Sequence, residues 1–141
     1  MIERLDCNSV YFNILEKMFV KVFTEESVKK ELESNKFTNY FTYTIDSKPV
    51  AFINYYVMYE RAELININVL DDYQNMGIAS KLIDYMINDC VNQKVTNITL
   101  EVNKMNSNAI HLYQKYGFKQ IGIRKGYYHG IDGILMEKEL M

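Results

Sequence analysis

Apolar residues along this chain recur with two different periods, and the switches between them mark out its elements. Val10, Ile14, Leu15, Met18, Phe19 and Val22 follow helical spacing, with Asn8 or Ser9 as the expected cap. Thr24 is expected to cap a second short helix, whose first turn carries Glu25 and Glu26 where negative charge suits the helix dipole. Runs rich in β-branched and aromatic residues follow at 41–45 and 50–58, and Asp46-Ser47-Lys48-Pro49 between them reads as a hairpin turn. Residues 64–70 alternate, with Ile65, Ile67 and Val69 on one face and Asn66 and Asn68 on the other. Ala79, Leu82, Ile83, Met86, Ile87 and Cys90 form the buried stripe of a third helix. Ile98, Leu100 and Val102 alternate again, which puts Thr99 and Glu101 on the opposite face. Ala109, Ile110, Leu112, Tyr113 and Tyr116 mark a fourth helix closed by Gly117, and 118–125 and 133–140 supply two final strands. The order ααβββαβαββ predicts an α/β (α+β) fold, a mixed sheet with helices on both faces.

Candidate chemistry begins where the strand at 64–70 feeds the third helix. Asp71-Asp72-Tyr73-Gln74-Asn75-Met76-Gly77-Ile78-Ala79-Ser80 is a small-residue turn opening a helix, a device for holding phosphate. The first amides of a helix have no partner within it, and the helix dipole adds positive potential where they point. Such a site stabilises an anion by about 0.3–1 kcal/mol when exposed and up to ~2 when partly buried. Gly77 and Ala79 keep side chains out of the way of a diphosphate. The spacing Gln-x-x-Gly-x-Ala matches neither the dinucleotide fingerprint nor the nucleotide P-loop.

That spacing resembles the pyrophosphate loop of the GCN5-related N-acetyltransferases (GNAT). A second block strengthens the resemblance: Leu100-Glu101-Val102, then Asn106-Ser107-Asn108-Ala109-Ile110-His111-Leu112-Tyr113-Gln114-Lys115-Tyr116-Gly117-Phe118. Arg124-Lys125-Gly126-Tyr127-Tyr128 and Asp132-Gly133-Ile134-Leu135-Met136 extend it toward the bacterial branch that acetylates the N-terminal alanine of a ribosomal protein. The likeness runs from about Thr42 to Leu140, while the first forty residues match loosely.

The resemblance implies a largely antiparallel central sheet, an acetyl-CoA cosubstrate, no metal, and an acceptor amine, most naturally a protein N-terminus. It implies that backbone groups of Ile67, Asn68 and Val69 hold the pantetheine arm, with the Val69 amide donating to the oxyanion. Losing one such donor costs roughly 3–4 kcal/mol in other enzymes. It gives Gln74, Asn75, Met76, Gly77, Ile78, Ala79 and Ser80 the phosphate-loop role. Relatives often carry basic residues at the positions of Asn75 and Ser80; both are neutral here, so the amides carry more of the task, helped by Lys81. Glu101 matches the general base, although a glutamate near pKa ~4.3 is a weak base for an ammonium without a relaying water. Tyr113 matches the acid that protonates the departing thiolate. Asn106 matches a position near the cofactor arm. Without the family block, Glu101 would read as a solvent-facing strand residue, Tyr113 as aromatic core and Asn106 as a helix N-cap. Tyr127 and Tyr128 are candidates for an acceptor-peptide groove, and His111 and His129 read as structural or peripheral.

Composition narrows the classes without changing that picture. A chain of 141 residues with 48% hydrophobic and 24% charged residues suits one domain spanning 1–141. A net charge of −2 gives no bulk attraction for nucleic acid or an anionic membrane. Cys7 and Cys90 lack metal-ligand spacing and read as reduced core residues of a cytoplasmic protein. There is neither a signal peptide nor an apolar run long enough to span a bilayer. Two other functions stay open on the residues: a small-molecule amine acetyltransferase, and a coenzyme A-binding sensor without turnover. Oligomeric state leaves no trace in the sequence.

Overall fold

A computed structural model of the chain describes residues 1–19 and 25–140. The expected cap Thr24 and the helical position Val22 lie outside the described residues. The elements run β1 (Ile2–Arg4), α1 (Phe12–Met18), α2 (Glu25–Ser34), β2 (Thr38–Ile45), β3 (Lys48–Met58), β4 (Arg61–Val69), a 3-10 turn (Asp71–Tyr73), α3 (Ile78–Asn92), β5 (Asn97–Asn103), α4 (Ser107–Lys115), β6 (Lys119–Tyr128) and β7 (Ile131–Glu139). Its sheet has seven strands in the order β1-β2-β3-β4-β5-β7-β6, with β4–β5 parallel and β1–β2, β2–β3, β5–β7 and β6–β7 antiparallel. The chain divides into two compact units, residues 1–56 with 66–87 and residues 57–65 with 88–141.

In the first unit, α1 and α2 pack with β2 and β3 around Leu5, Phe12, Leu15, Phe19, Val28, Tyr40 and Phe52. Each large side chain buried this fully contributes about 1.5–3 kcal/mol. The stripe differs from the expected one: Phe12, Leu15 and Phe19 are buried, while Val10 is 80% and Ile14 38% exposed. The helix starts only at Phe12, with Tyr11 as its N-cap and no side-chain cap bond, so the expectation for Asn8 or Ser9 fails. The Ser9 hydroxyl instead accepts from the Tyr11 amide at 3.3 Å in the turn before it. Cys7 is half-buried in that segment rather than core, whereas Cys90 is fully buried.

β1 has no counterpart in the apolar pattern. Three residues, Ile2-Glu3-Arg4, become a strand because β2 offers them an edge, pairing Ile2 with Tyr43 and Arg4 with Phe41. The β2–β3 hairpin is tighter than expected. Asp46 (φ 50°) and Ser47 (φ 64°) form a two-residue turn, and Lys48 already pairs with Ile45. Pro49 lies beside a bulge at Tyr43/Thr44, where its missing N–H does least harm to the ladder. Helix α2 is tied to the sheet by the Glu31 carboxylate, which accepts from the Tyr56 hydroxyl at 2.7 Å and the Tyr40 hydroxyl at 3.4 Å.

The second unit holds β5, α4, β6 and β7. Ile98, Leu100 and Val102 are buried, and Thr99 and Glu101 fall on the other face, as the alternation implies. In β4, by contrast, Ala62 and Leu64 are buried, Ile65 is 36% exposed, and Ile67 and Val69 are only half-buried. The strand starts at Arg61, and its Ala62/Leu64 face takes the core position expected for the isoleucines. Among the described residues no helix is long and apolar enough to cross a membrane.

Candidate active site

Within the first unit, β4 ends at Val69 and the chain turns through 3-10 geometry into α3. Asn75 (φ 62°) and Gly77 (φ 79°) both adopt left-handed backbone. A Cβ at Gly77 would meet nothing within 4 Å, so conformation and open space, not crowding, ask for glycine there. The Gly77 carbonyl accepts the Lys81 amide at 3.1 Å, which makes it the first acceptor of the helix. Ile78 is buried and anchors the first turn, while Gln74, Asn75 and Met76 are exposed and Ala79 and Ser80 half-buried. The Gln74 side-chain amide donates to the Val69 carbonyl and to Asp71 Oδ1, both at 3.2 Å. The glutamine of the motif thus braces the turn against the end of the strand and occupies one oxygen of a nearby carboxylate. Lys81 does not stand idle: its Nζ lies 3.3 Å from the Tyr43 hydroxyl and 5.6 Å from the centre of that ring. Lys48 Nζ lies 5.5 Å from the centre of the ring of Tyr73, the last residue of the 3-10 turn. Open space over Gly77 and the helix-start amides fit a diphosphate.

Within the second unit, α4 is framed by its two ends. Asn106 is the N-cap, its Oδ1 accepting from the Ala109 amide at 3.2 Å. At the other end Gly117 (φ 89°) donates to the Gln114 carbonyl at 2.9 Å, and Phe118 donates to the Tyr113 carbonyl at 3.0 Å. This pair of bonds is a Schellman closure, and its accompanying apolar contact is the Tyr113–Phe118 ring pair, 5.9 Å apart. Leu-Tyr-x-x-x-Gly-Phe therefore has a local physical meaning: it stops the helix and pins Tyr113. Tyr113 is 6% exposed, and burial followed by the nearby Tyr128 pushes its phenol up to about 12. It is therefore both core and a firmly protonated hydroxyl. His111, two residues earlier, is exposed, and His129 sits at φ 50° in the two-residue turn joining β6 to β7.

Glu101 is half-buried, and its Oε2 lies 3.3 Å from Arg124 Nε. The guanidinium in turn covers the Tyr127 ring at 4.6 Å, and Tyr127 meets Tyr128 edge-on at 5.0 Å. Tyr128 has its phenol raised by burial first and by Glu101 second. A Cβ at Gly133 would lie 3.2 Å from Tyr128 Cε2 and 3.3 Å from Glu101 Cδ. Sequence reasoning singled out neither Arg124 nor Gly133 individually. The available signal was a bare glycine within an apolar strand, opposite a lone arginine at hairpin spacing.

The model of the acetyltransferase (GNAT) family matches residues 9–118. The chain belongs to this family. It is 36% identical over 107 residues, 74% of this chain and 72% of the relative, to the [ribosomal protein bS18]-alanine N-acetyltransferase of Escherichia coli strain K12. The crystal structure of the ribosomal-protein-S18-alanine N-acetyltransferase from Escherichia coli superposes with a TM-score of 0.84 at 26% identity, covering 99% of this chain and 94% of that one. A GNAT acetyltransferase from Elizabethkingia anophelis, solved with acetyl-CoA bound, shares the fold with a TM-score of 0.79 at 21% identity, over 99% and 97% of the two chains. The protein is an acetyl-CoA-dependent N-acetyltransferase with the GNAT fold.

Proposed function

We propose that this acetyltransferase acts on a protein N-terminal α-amine, of the kind offered by the alanine of a small ribosomal-subunit protein. The observation carrying this reading is the 36% identity over 107 residues to an enzyme named for that acceptor. Acid–base chemistry points the same way. Deprotonating an α-amine of pKa ~7.7–8.0 at neutral pH costs roughly 1 kcal/mol, against nearly 5 for a lysine. A site whose base is a single carboxylate suits the easier amine.

Acetyl-CoA supplies an acetyl group activated as a thioester. The amides at Gly77, Ile78 and Ala79 hold its diphosphate, with Gln74 bracing their turn, and the backbone of Ile67, Asn68 and Val69 holds the pantetheine arm. Glu101 receives the amine proton through one water as nitrogen bonds to the acetyl carbon. Tyr113 donates a hydrogen bond to the sulfur as the carbon–sulfur bond breaks. Burial keeps that phenol protonated at neutral pH, so it faces the sulfur as a donor. The residues form one N-acetyltransferase domain spanning 1–141.

Thiol release with acetyl-CoA and a panel of acceptors tests the reading: Ala-, Ser- and Met-starting peptides, polyamines, and lysine peptides with blocked N-termini. Turnover on Ala-starting peptides is expected. Turnover confined to blocked lysine peptides or to polyamines would replace it, and cosubstrate binding without turnover on any acceptor would make the protein a sensor.

A further inference from the structure

The register of the last three strands places Glu101 and Arg124 unusually. Gly133 on β7 pairs with Asn103 on β5 on one side and with Arg124 on β6 on the other. Glu101 stands two residues from Asn103 on β5, opposite Leu135. Glu101 and Arg124 are therefore separated by a whole strand, about 9–10 Å between backbones. Their side chains nevertheless meet at 3.3 Å. They can do so because the position between them has no side chain: a Cβ at Gly133 would stand 3.3 Å from both Cγ and Cδ of Glu101.

On this basis, and resting on the reading of Glu101 as base, we propose that Arg124, reaching across the bare backbone of Gly133, is the positioning residue that aims the Glu101 carboxylate. Arg124 is itself held. Its guanidinium lies on the Tyr127 ring, and Tyr127 is braced edge-on by Tyr128. Behind Arg124 the β6–β7 ladder breaks its register before Tyr128, and the Gly126 amide (φ 64°) donates to Asp132 Oδ1 at 3.0 Å. The irregularity lets Tyr127 fold back to support the arginine. The Arg124 side chain is 54% exposed, and a pair so open to water contributes little to folding. Orientation is the effect it can deliver. Binding Oε2 fixes one carboxylate oxygen and leaves Oε1 for the relaying water.

Steady-state kinetics of the full chain on an Ala-starting peptide with acetyl-CoA test this, using Arg124→Gln, Arg124→Lys, Gly133→Ala, Glu101→Gln and the double variant Glu101→Gln/Arg124→Gln. Misaiming a reacting group by about 1 Å costs on the order of 10²-fold, so Arg124→Gln is expected to lower kcat by roughly 10- to 100-fold while KM for acetyl-CoA stays put. Arg124→Lys should recover much of the loss. Gly133→Ala should lower kcat in the same way, because its Cβ, 3.2–3.3 Å from the Tyr128 ring and from Cγ and Cδ of Glu101, displaces the carboxylate by only a few tenths of an ångström and the chain can still fold. In the Glu101→Gln background, Arg124→Gln should cost nothing further. Unchanged or faster turnover in Arg124→Gln overturns the proposal, the latter by making the ion pair a restraint that substrate must break. Losses that multiply in the double variant overturn it too, since Arg124 would then act independently of Glu101. Should Glu101→Gln itself prove fully active, the base reading falls first and takes this inference with it.

Discussion

Tyr113 combines two properties that usually compete, a buried ring and a hydroxyl. Its ring packs on Phe118 in the interior of the second unit, and burial pushes its hydroxyl up to about 12. The same burial that makes it core keeps it protonated far above neutral pH. Activity should therefore show no descending alkaline limb from this group below about pH 11, provided the fold persists. Tyr113→Phe keeps the ring and deletes the hydroxyl, so kcat is expected to fall about 10²-fold with cosubstrate affinity unchanged. Full activity in that variant would mean sulfur departs without help from this residue. Glu101 and Asn106 each have a structural partner beside the role proposed for them. One is a strand carboxylate already matched by a guanidinium, and the other caps α4 with the oxygen that a second role would also need.

At the scale of elements, the turn between β4 and α3 and the Schellman closure of α4 are both written in consecutive residues. Gly77 at φ 79°, before α3, and Gly117 at φ 89°, after α4, do the same conformational job. Their surroundings differ. Nothing lies within 4 Å of a Cβ at Gly77, whereas a Cβ at Gly117 would meet Lys138 Nζ at 3.0 Å. Substitution at Gly77 therefore leaves internal packing untouched and acts through ligand approach and the strain of a side chain at φ 79°. Gly77→Val is expected to weaken acetyl-CoA binding by calorimetry, while Tyr113 and Glu101 in the other unit keep their environments. Equal affinities would place the diphosphate elsewhere. Beside the neutral Asn75 and Ser80 the sequence pointed to Lys81 as the nearby cation, but not to Lys48. The structure sets Lys48 beside the Tyr73 ring of the turn, and Lys81 in the first turn of α3 beside the Tyr43 ring of β2.

For the molecule as a whole, several buried acids titrate late. Burial raises the phenols of Tyr40 and Tyr113 and the Cys90 thiol, the last two to about 12. Each folded-state value lies above its unfolded one, so the neutral form stabilises the fold. That stability is fully present below about pH 9, where the unfolded groups are still protonated, and is lost as pH climbs from 9 toward 12. Denaturant titrations at pH 8 and pH 11 should show a marked drop in unfolding free energy, partly relieved in Cys90→Ala relative to its own pH 8 value. A flat profile would mean these groups are hydrated in the folded state. The sequence by itself determined what depends on neighbours a few residues apart. It specified the glycine turn into α3, the closure that pins Tyr113, the alternation that turns Glu101 away from Leu100, and the family. Tertiary structure decided what depends on which strand lies beside which. It made Ile2-Glu3-Arg4 a strand, chose Phe12 over Val10 for the core, and joined Glu101 to Arg124 over Gly133. Periodicity reports which residues share a face, but only pairing register across distant strands reports which of them touch.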